Sequence, residues 1–307
     1  MDESKKREMR EFIPFLLMAS LFVLVDGLAL LLIDPFEVAG VEVFVNPNDP
    51  LNLLYFFLTM LLFPVIILVI ARFGKDQLVQ GIILGSTALL AFYVLYPLLA
   101  FVVPEVWSLG LSIASAVILV VILIKYPEWY VLDLCDILVG VGCVAMLGIS
   151  LNVSLVIILL IGLAIYDAIA VYKTKHMIDL ADTVIKLKLP IVFVVPKIRQ
   201  YSLIKETRNL KETVRQGEER EAFFMGLGDI VIPGILTAST FYNLPSNGLL
   251  VALSVILCTI LGFAILITFV TKGKPQAGLP FLCGGAILGY LVSSYLLFGE
   301  LIILPFP

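Results

Sequence analysis

The chain has 307 residues, 61% of them hydrophobic and 14% charged, with a formal net charge of −4. Its mean hydropathy of +1.10 excludes a water-soluble globule, because too few polar side chains remain to cover a surface of that size. Runs of roughly 20 apolar residues are the length a helix needs to cross a bilayer, so the expected fold is an all-α polytopic membrane protein.

The first element follows "KKREMR" (5–10) and covers about 12–33. It is longer than a signal-peptide core and lacks a small-residue cleavage site, so it reads as a retained span. Asp26 lies near its middle without an evident partner; a hydrogen-bonded structural acid and a substrate-path residue are both open readings. An outer loop over 34–52, with Pro, Asn and Asp, should be irregular. Spans at about 53–71, 78–103 and 108–124 come next. Within the third, "GIILG" (81–85) sets glycines four apart, a spacing that lets helices approach closely. "PEWY" (127–130) is an interfacial belt at the start of the fifth span, 131–149. Asp133 and Asp136 lie within two turns of it and read as acids that reach headgroups or water. The sixth span is 154–172.

Residues 173–220 form the one long interruption. Within it "LPIVFVVP" (189–196) is a β-branched run bounded by prolines, a short strand or an interfacial segment. Spans seven to nine are read at 222–242, 248–270 and 279–303, and "GAILG" (285–289) repeats the glycine spacing in the last. The chain thus divides into spans one to six (1–172), a loop (173–220) and spans seven to nine (221–307), within a single membrane domain.

All 20 Lys and Arg fall on one side of this nine-span arrangement: before span one, after spans two and four, between Lys173 and Arg220, and before span nine. The opposite loops carry only Asp34, Glu37, Glu42, Asp49, Glu105 and Glu300. The positive-inside rule therefore expects the N-terminus in the cytoplasm and the C-terminus outside. Cys135, Cys143, Cys258 and Cys283 lie within spans without metal-ligand spacing and read as packing residues. His176, beside Lys173 and Lys175, reads as an interfacial side chain. Neither a metal nor a cofactor is implied.

Acids inside spans are costly and are functional candidates by default. Asp167 lies six residues before Lys173 and Asp229 eight after Glu221, depths of about 9 and 12 Å along two antiparallel helices. The two carboxylates can then meet at one level. A close pair holds one proton between them and can grip and polarise a water, which is the apparatus of aspartic proteolysis. Spacing alone favours a secondary transporter or cation leak channel that uses the pair as a cation site.

The surrounding motifs decide for proteolysis. Tyr166-Asp167, "GLGD" (Gly226, Leu227, Gly228, Asp229) and "AGLP" (Ala277, Gly278, Leu279, Pro280) occur in that order. This resembles the presenilin family of intramembrane aspartyl proteases, and most closely its archaeal members, over nearly the whole chain. The resemblance implies Asp167 and Asp229 as catalytic pair, with the remaining motif residues as active-site support. Gly226 and Gly228 should leave room for backbone approach beside Asp229. The family's third element reads Pro-Ala-Leu, so Ala277 and Gly278 depart from it while Leu279 matches and Pro280 fits the proline that often follows. That segment should be extended, since a residue before proline is biased away from helix. Pro233, four residues after Asp229, should free the Asp229 carbonyl and bend the helix.

The expected function is therefore an aspartic endopeptidase of G-x-G-D type that hydrolyses peptide bonds within the transmembrane helices of single-span proteins. The charge-derived orientation is similar to that of presenilin rather than the inverted signal peptide peptidases, which implies substrates with outside N-termini. A prepilin-peptidase-like enzyme would favour Lys where Val231 stands. Unwinding a substrate helix exposes backbone groups, and strand addition to 190–195 or to the AGLP stretch would satisfy them. The expected partners are transmembrane peptides and the lipid bilayer of the cell membrane, with no nucleic acid and no obligatory accessory subunit.

Overall fold

The structure, a computed structural model, describes residues 3–73, 76–174, 189–197, 201–204, 222–244, 246–270 and 276–299. Nine α-helices occur among them: α1 (Glu3–Val38), α2 (Leu51–Arg72), α3 (Asp76–Val102), α4 (Glu105–Lys125), α5 (Trp129–Ser150), α6 (Val153–Ile169), α7 (Leu227–Asn243), α8 (Gly248–Val270) and α9 (Leu279–Phe298). A π-helical turn, Ala170–Thr174, extends α6. The only described strands, β1 (Val192–Pro196) and β2 (Ala222–Gly226), pair antiparallel with Val194 opposite Phe224. The expected all-α membrane architecture stands, with this small sheet added at the end of the bundle where Lys125 and Lys173 lie.

Seven of the described helices are long and apolar enough to cross a membrane. Helix α2, with its shorter apolar stretch Leu51–Ile67, and helix α7 fall short, and for α7 the reason corrects the sequence reading. Residues 222–226 do not begin a helix; "AFFMG" pairs with β1 as a strand, leaving 17 residues of helix, about 26 Å. Aromatic side chains suit a pleated, half-buried surface, and Gly226 caps α7 in extended conformation, with φ −62° and ψ 138°. The 189–196 run forms the strand the sequence allowed for.

Helix α5 is the hub: 67% of its apolar window is buried against 22% for α4, and it packs on α1, α3, α7 and β1. Small residues allow this. A side chain at Gly148 would strike Ala238 of α7, and one at Gly140 would press Leu227, with 3.1 Å between the added carbon and Leu227 Cδ1. The second hub is α8 against α9, where added carbons at Gly285 and Gly289 would meet the backbone of Cys258 and Ser254. The "GAILG" pair is thus a packing device, whereas Gly81 and Gly85 face open space and bring no helix close.

The far end of the bundle is tied by polar side chains. Asn152 caps α6 by accepting from the N–H groups of Ser154 (2.8 Å) and Leu155 (3.2 Å), and its amide donates to Asn48 Oδ1 at 2.8 Å. Ser150 Oγ accepts from the N–H of Val43 at 2.7 Å, so the irregular 39–50 segment is anchored to the α5–α6 turn.

Candidate active site

Three elements converge near the basic end of the bundle. Asp167, two residues before the end of α6, is 4% exposed. Asp229 sits in the first turn of α7, directly after the strand-to-helix junction at Gly226. The third element is the approach to α9. The N–H of Leu279 donates to Asp167 Oδ2 at 3.0 Å, and a carbon added at Gly278 would lie 3.6 Å from Asp229 Oδ1. Leu279 thus binds one carboxylate and the adjacent Gly278 lies beside the other, so that the start of α9 borders both.

This corrects the route by which the aspartates meet. Equal depth along two helices requires 222–229 to be helical, but the strand carries the chain to Gly226 and the helix starts only two residues before Asp229. It also corrects the AGLP segment. Gly278 is right-handed helical (φ −79°, ψ −46°), and Leu279 and Pro280 form the first turn of α9 rather than an extended stretch. Proline lacks an N–H that would find no partner there in any case, so the first turn tolerates it and overrides the bias on Leu279. Ala277, where the sequence departs from the family pattern, is fully buried.

The other motif residues fall around this pair. Tyr166 is half-buried on α6, and Leu227 packs into the core. Added carbons at Gly226 and Gly228 would sit 3.5 Å from Asp229 Oδ2 and 3.7 Å from Ile232 Cδ1, ordinary contact distances. Internal packing therefore does not demand glycine at either position. Helix α7 continues through Pro233, which has no N–H to offer the Asp229 carbonyl.

Sequence reasoning missed two neighbours. Cys283, fully buried in the first turns of α9, lies within the field of both aspartates. Tyr172, in the π-helical turn, donates its hydroxyl to Gln276 Oε1 at 2.7 Å and so links the end of α6 to the approach to α9. A π-turn next to a candidate site fits the tendency of such turns to occur at functional positions, but no motif in "AVYKT" marks one. Among the described residues no group of three His, Cys, Asp or Glu could hold a metal ion.

A family profile described as signal-peptide peptidase, presenilin aspartyl protease matches residues 19–299. The chain belongs to this presenilin-type family of intramembrane aspartyl proteases. Two solved structures of a presenilin family intramembrane aspartate protease resemble it. The one in space group C222 is 32% identical, with a TM-score of 0.68, and the match covers 92% of this chain and 99% of that one. The one in space group P2 is also 32% identical, with a TM-score of 0.65 and coverage of 91% and 96%. A comparison with curated proteins found no match. The chain is thus a multi-pass membrane aspartyl endopeptidase that acts on transmembrane substrates.

Proposed function

We propose that Asp167 and Asp229 are the catalytic pair of this presenilin-type protease. The observation that supports the reading is that the N–H of Leu279 binds Asp167 while the adjacent Gly278 lies beside Asp229, so that one short segment borders both carboxylates. The pair shares one proton. The ionised carboxylate takes a proton from water as its oxygen attacks the scissile carbonyl carbon, while the protonated partner donates to the carbonyl oxygen. The resulting gem-diol collapses when a proton passes to the amide nitrogen and the C–N bond breaks. Both aspartates end as they began, one proton between them.

Substrate backbone freed by unwinding needs partners, and a strand edge supplies them. The 190–195 segment is a poor template, because β2 takes one edge of β1 and Asp133 the other. Asp133 Oδ1 accepts from the N–H of Val194 at 2.8 Å. The outer edge of β2 is the better candidate. Leu227 N–H donates to the Ile191 carbonyl at 3.0 Å, so the alternation of an antiparallel pair turns the N–H and C=O of Phe224 away from β1. Phe224 lies five residues before Asp229, close enough to lead an extended substrate to the aspartates. The proposal extends to a cytoplasmic N-terminus, substrates with outside N-termini, and activity without accessory subunits.

The purified protein, incubated with a single-span test substrate, is expected to yield two peptides whose masses sum to the substrate plus water. Asp229→Ala should yield none. Cation flux without peptide products, lost in the same variant, would instead favour the transporter reading.

A further inference from the structure

The cytoplasm-proximal half of α5 carries three acids that the catalytic reading leaves unused: Glu128 at its N-cap, Asp133 and Asp136. The sequence suggested that Asp133 and Asp136 reach headgroups or water. Instead they face the segment between α6 and α7. Glu128 accepts from Ser202 Oγ at 2.6 Å and from the N–H of Leu203 at 3.1 Å. Asp133 takes the outward N–H of Val194. Asp136, fully buried one turn on, faces the Val192 amide, the next outward N–H of the strand, without closing a hydrogen bond to it.

We infer that Asp133 is a positioning residue that caps the outer edge of β1, so that an extended peptide can join the sheet only at β2. The inference rests on the proposal that substrate adds to the edge of β2. Without Asp133 the outward N–H of Val194 would be left as a donor for a second peptide, because a two-stranded sheet has two edges. A peptide paired there would lie a strand's width, about 4.8 Å, further from Asp229. The cap also fixes β2. The register ties β2 to β1, Asp133 ties β1 to α5, and β2 runs directly into the helix that bears Asp229. A carboxylate is not essential for this, since an amide oxygen in the same place would accept the same N–H. Only loss of the acceptor should release the strand.

The test compares Asp133→Asn with Asp133→Leu in the full chain, with kcat, KM and the identity of every cleaved bond measured on one single-span substrate. Asn should keep the wild-type bond and rate. Leu, which leaves a half-buried N–H unpaired, should lower kcat about ten-fold with KM changed less than about two-fold, and should spread cleavage to neighbouring bonds. A protein that is merely less stable would lose active fraction but keep cutting one bond. Val194→Pro, which removes the donor, should give the same spread, and combining it with Asp133→Leu should add no further loss. Cleavage by Asp133→Leu at the wild-type bond alone with wild-type kcat overturns the inference, as does equal damage from Asn and Leu. Phe224→Pro tests the reading beneath it by deleting the outward N–H of β2. If that variant is impaired while Asp133→Leu is not, strand addition stands and the cap falls. A silent Phe224→Pro overturns both.

Discussion

At the residue scale, the two aspartates differ in what holds them. Asp167 is buried and receives the amide of Leu279, while Asp229 is half-buried beside Gly226 and Gly278. Asn at either position preserves shape and the accepted hydrogen bonds but cannot cycle a proton. Asp167→Asn and Asp229→Asn should therefore each lower kcat by at least about 10³-fold with the fold intact, as general acid–base roles imply. Retention of a tenth of wild-type turnover by either variant, with thermal stability as the folding control, would break the two-aspartate mechanism. The same chemistry dictates a pH profile. Below the acid limb the pair carries two protons and lacks a base; above the alkaline limb it carries none and lacks a donor. The rate should follow a bell whose limbs belong to the coupled pair and not to either residue. A flat profile with chemistry rate-limiting, shown by a single-turnover measurement, is the result that contradicts this.

At the scale of elements, glycine spacing alone did not reveal which helices touch. "GIILG" and "GAILG" look alike in sequence, yet only the second meets a neighbour's backbone. Gly285→Ala should destabilise the protein in detergent by about 1–3 kcal/mol through overpacking against Cys258. Gly81→Ala, in open space, should be neutral or stabilise by up to about 1 kcal/mol through helix propensity. Equal shifts in thermal midpoint from the two would show that α8 and α9 are not in close contact. The same limit explains the other gaps in the sequence reading. All nine spans were legible as helices because long apolar runs leave little choice, and the aspartate motifs because charges stand out in such runs. Strand β2 was not, since "AFFMG" is as apolar as the helix it joins and periodicity cannot divide a run of five from its continuation. The role of Asp133 was hidden for a different reason. Its partner is a backbone amide 61 positions away, and an amide has no sequence signature.

At the scale of the whole molecule, charge and geometry combine into a statement about direction. The sequence assigns all 20 basic residues to one face, proposed above as cytoplasmic, and the two aspartates lie toward the end where α6 ends and α7 and α9 begin. A strand added to the edge of β2 has a direction, since antiparallel and parallel pairing turn different faces of the scissile carbonyl toward the aspartates. The site is also asymmetric along the bundle, with the sheet at the basic end and no strand at the other among the described residues. On the proposed docking edge a substrate helix would unwind onto β2 from the end nearest the sheet, and would find no strand edge on the opposite side among the described residues. Substrate orientation should then decide cleavage outright. In vesicles that hold the protease in one orientation, a single-span peptide with its N-terminus on the face opposite the protease's N-terminus should be cut. The same sequence inserted the other way round should be cut at least about 10²-fold more slowly, as for a misoriented reactant. Protease protection of a terminal tag fixes the orientation of each partner, and mass spectrometry reads the products. Equal cleavage of both orientations would mean that neither strand direction nor sidedness governs binding, and would remove β2 as the docking edge.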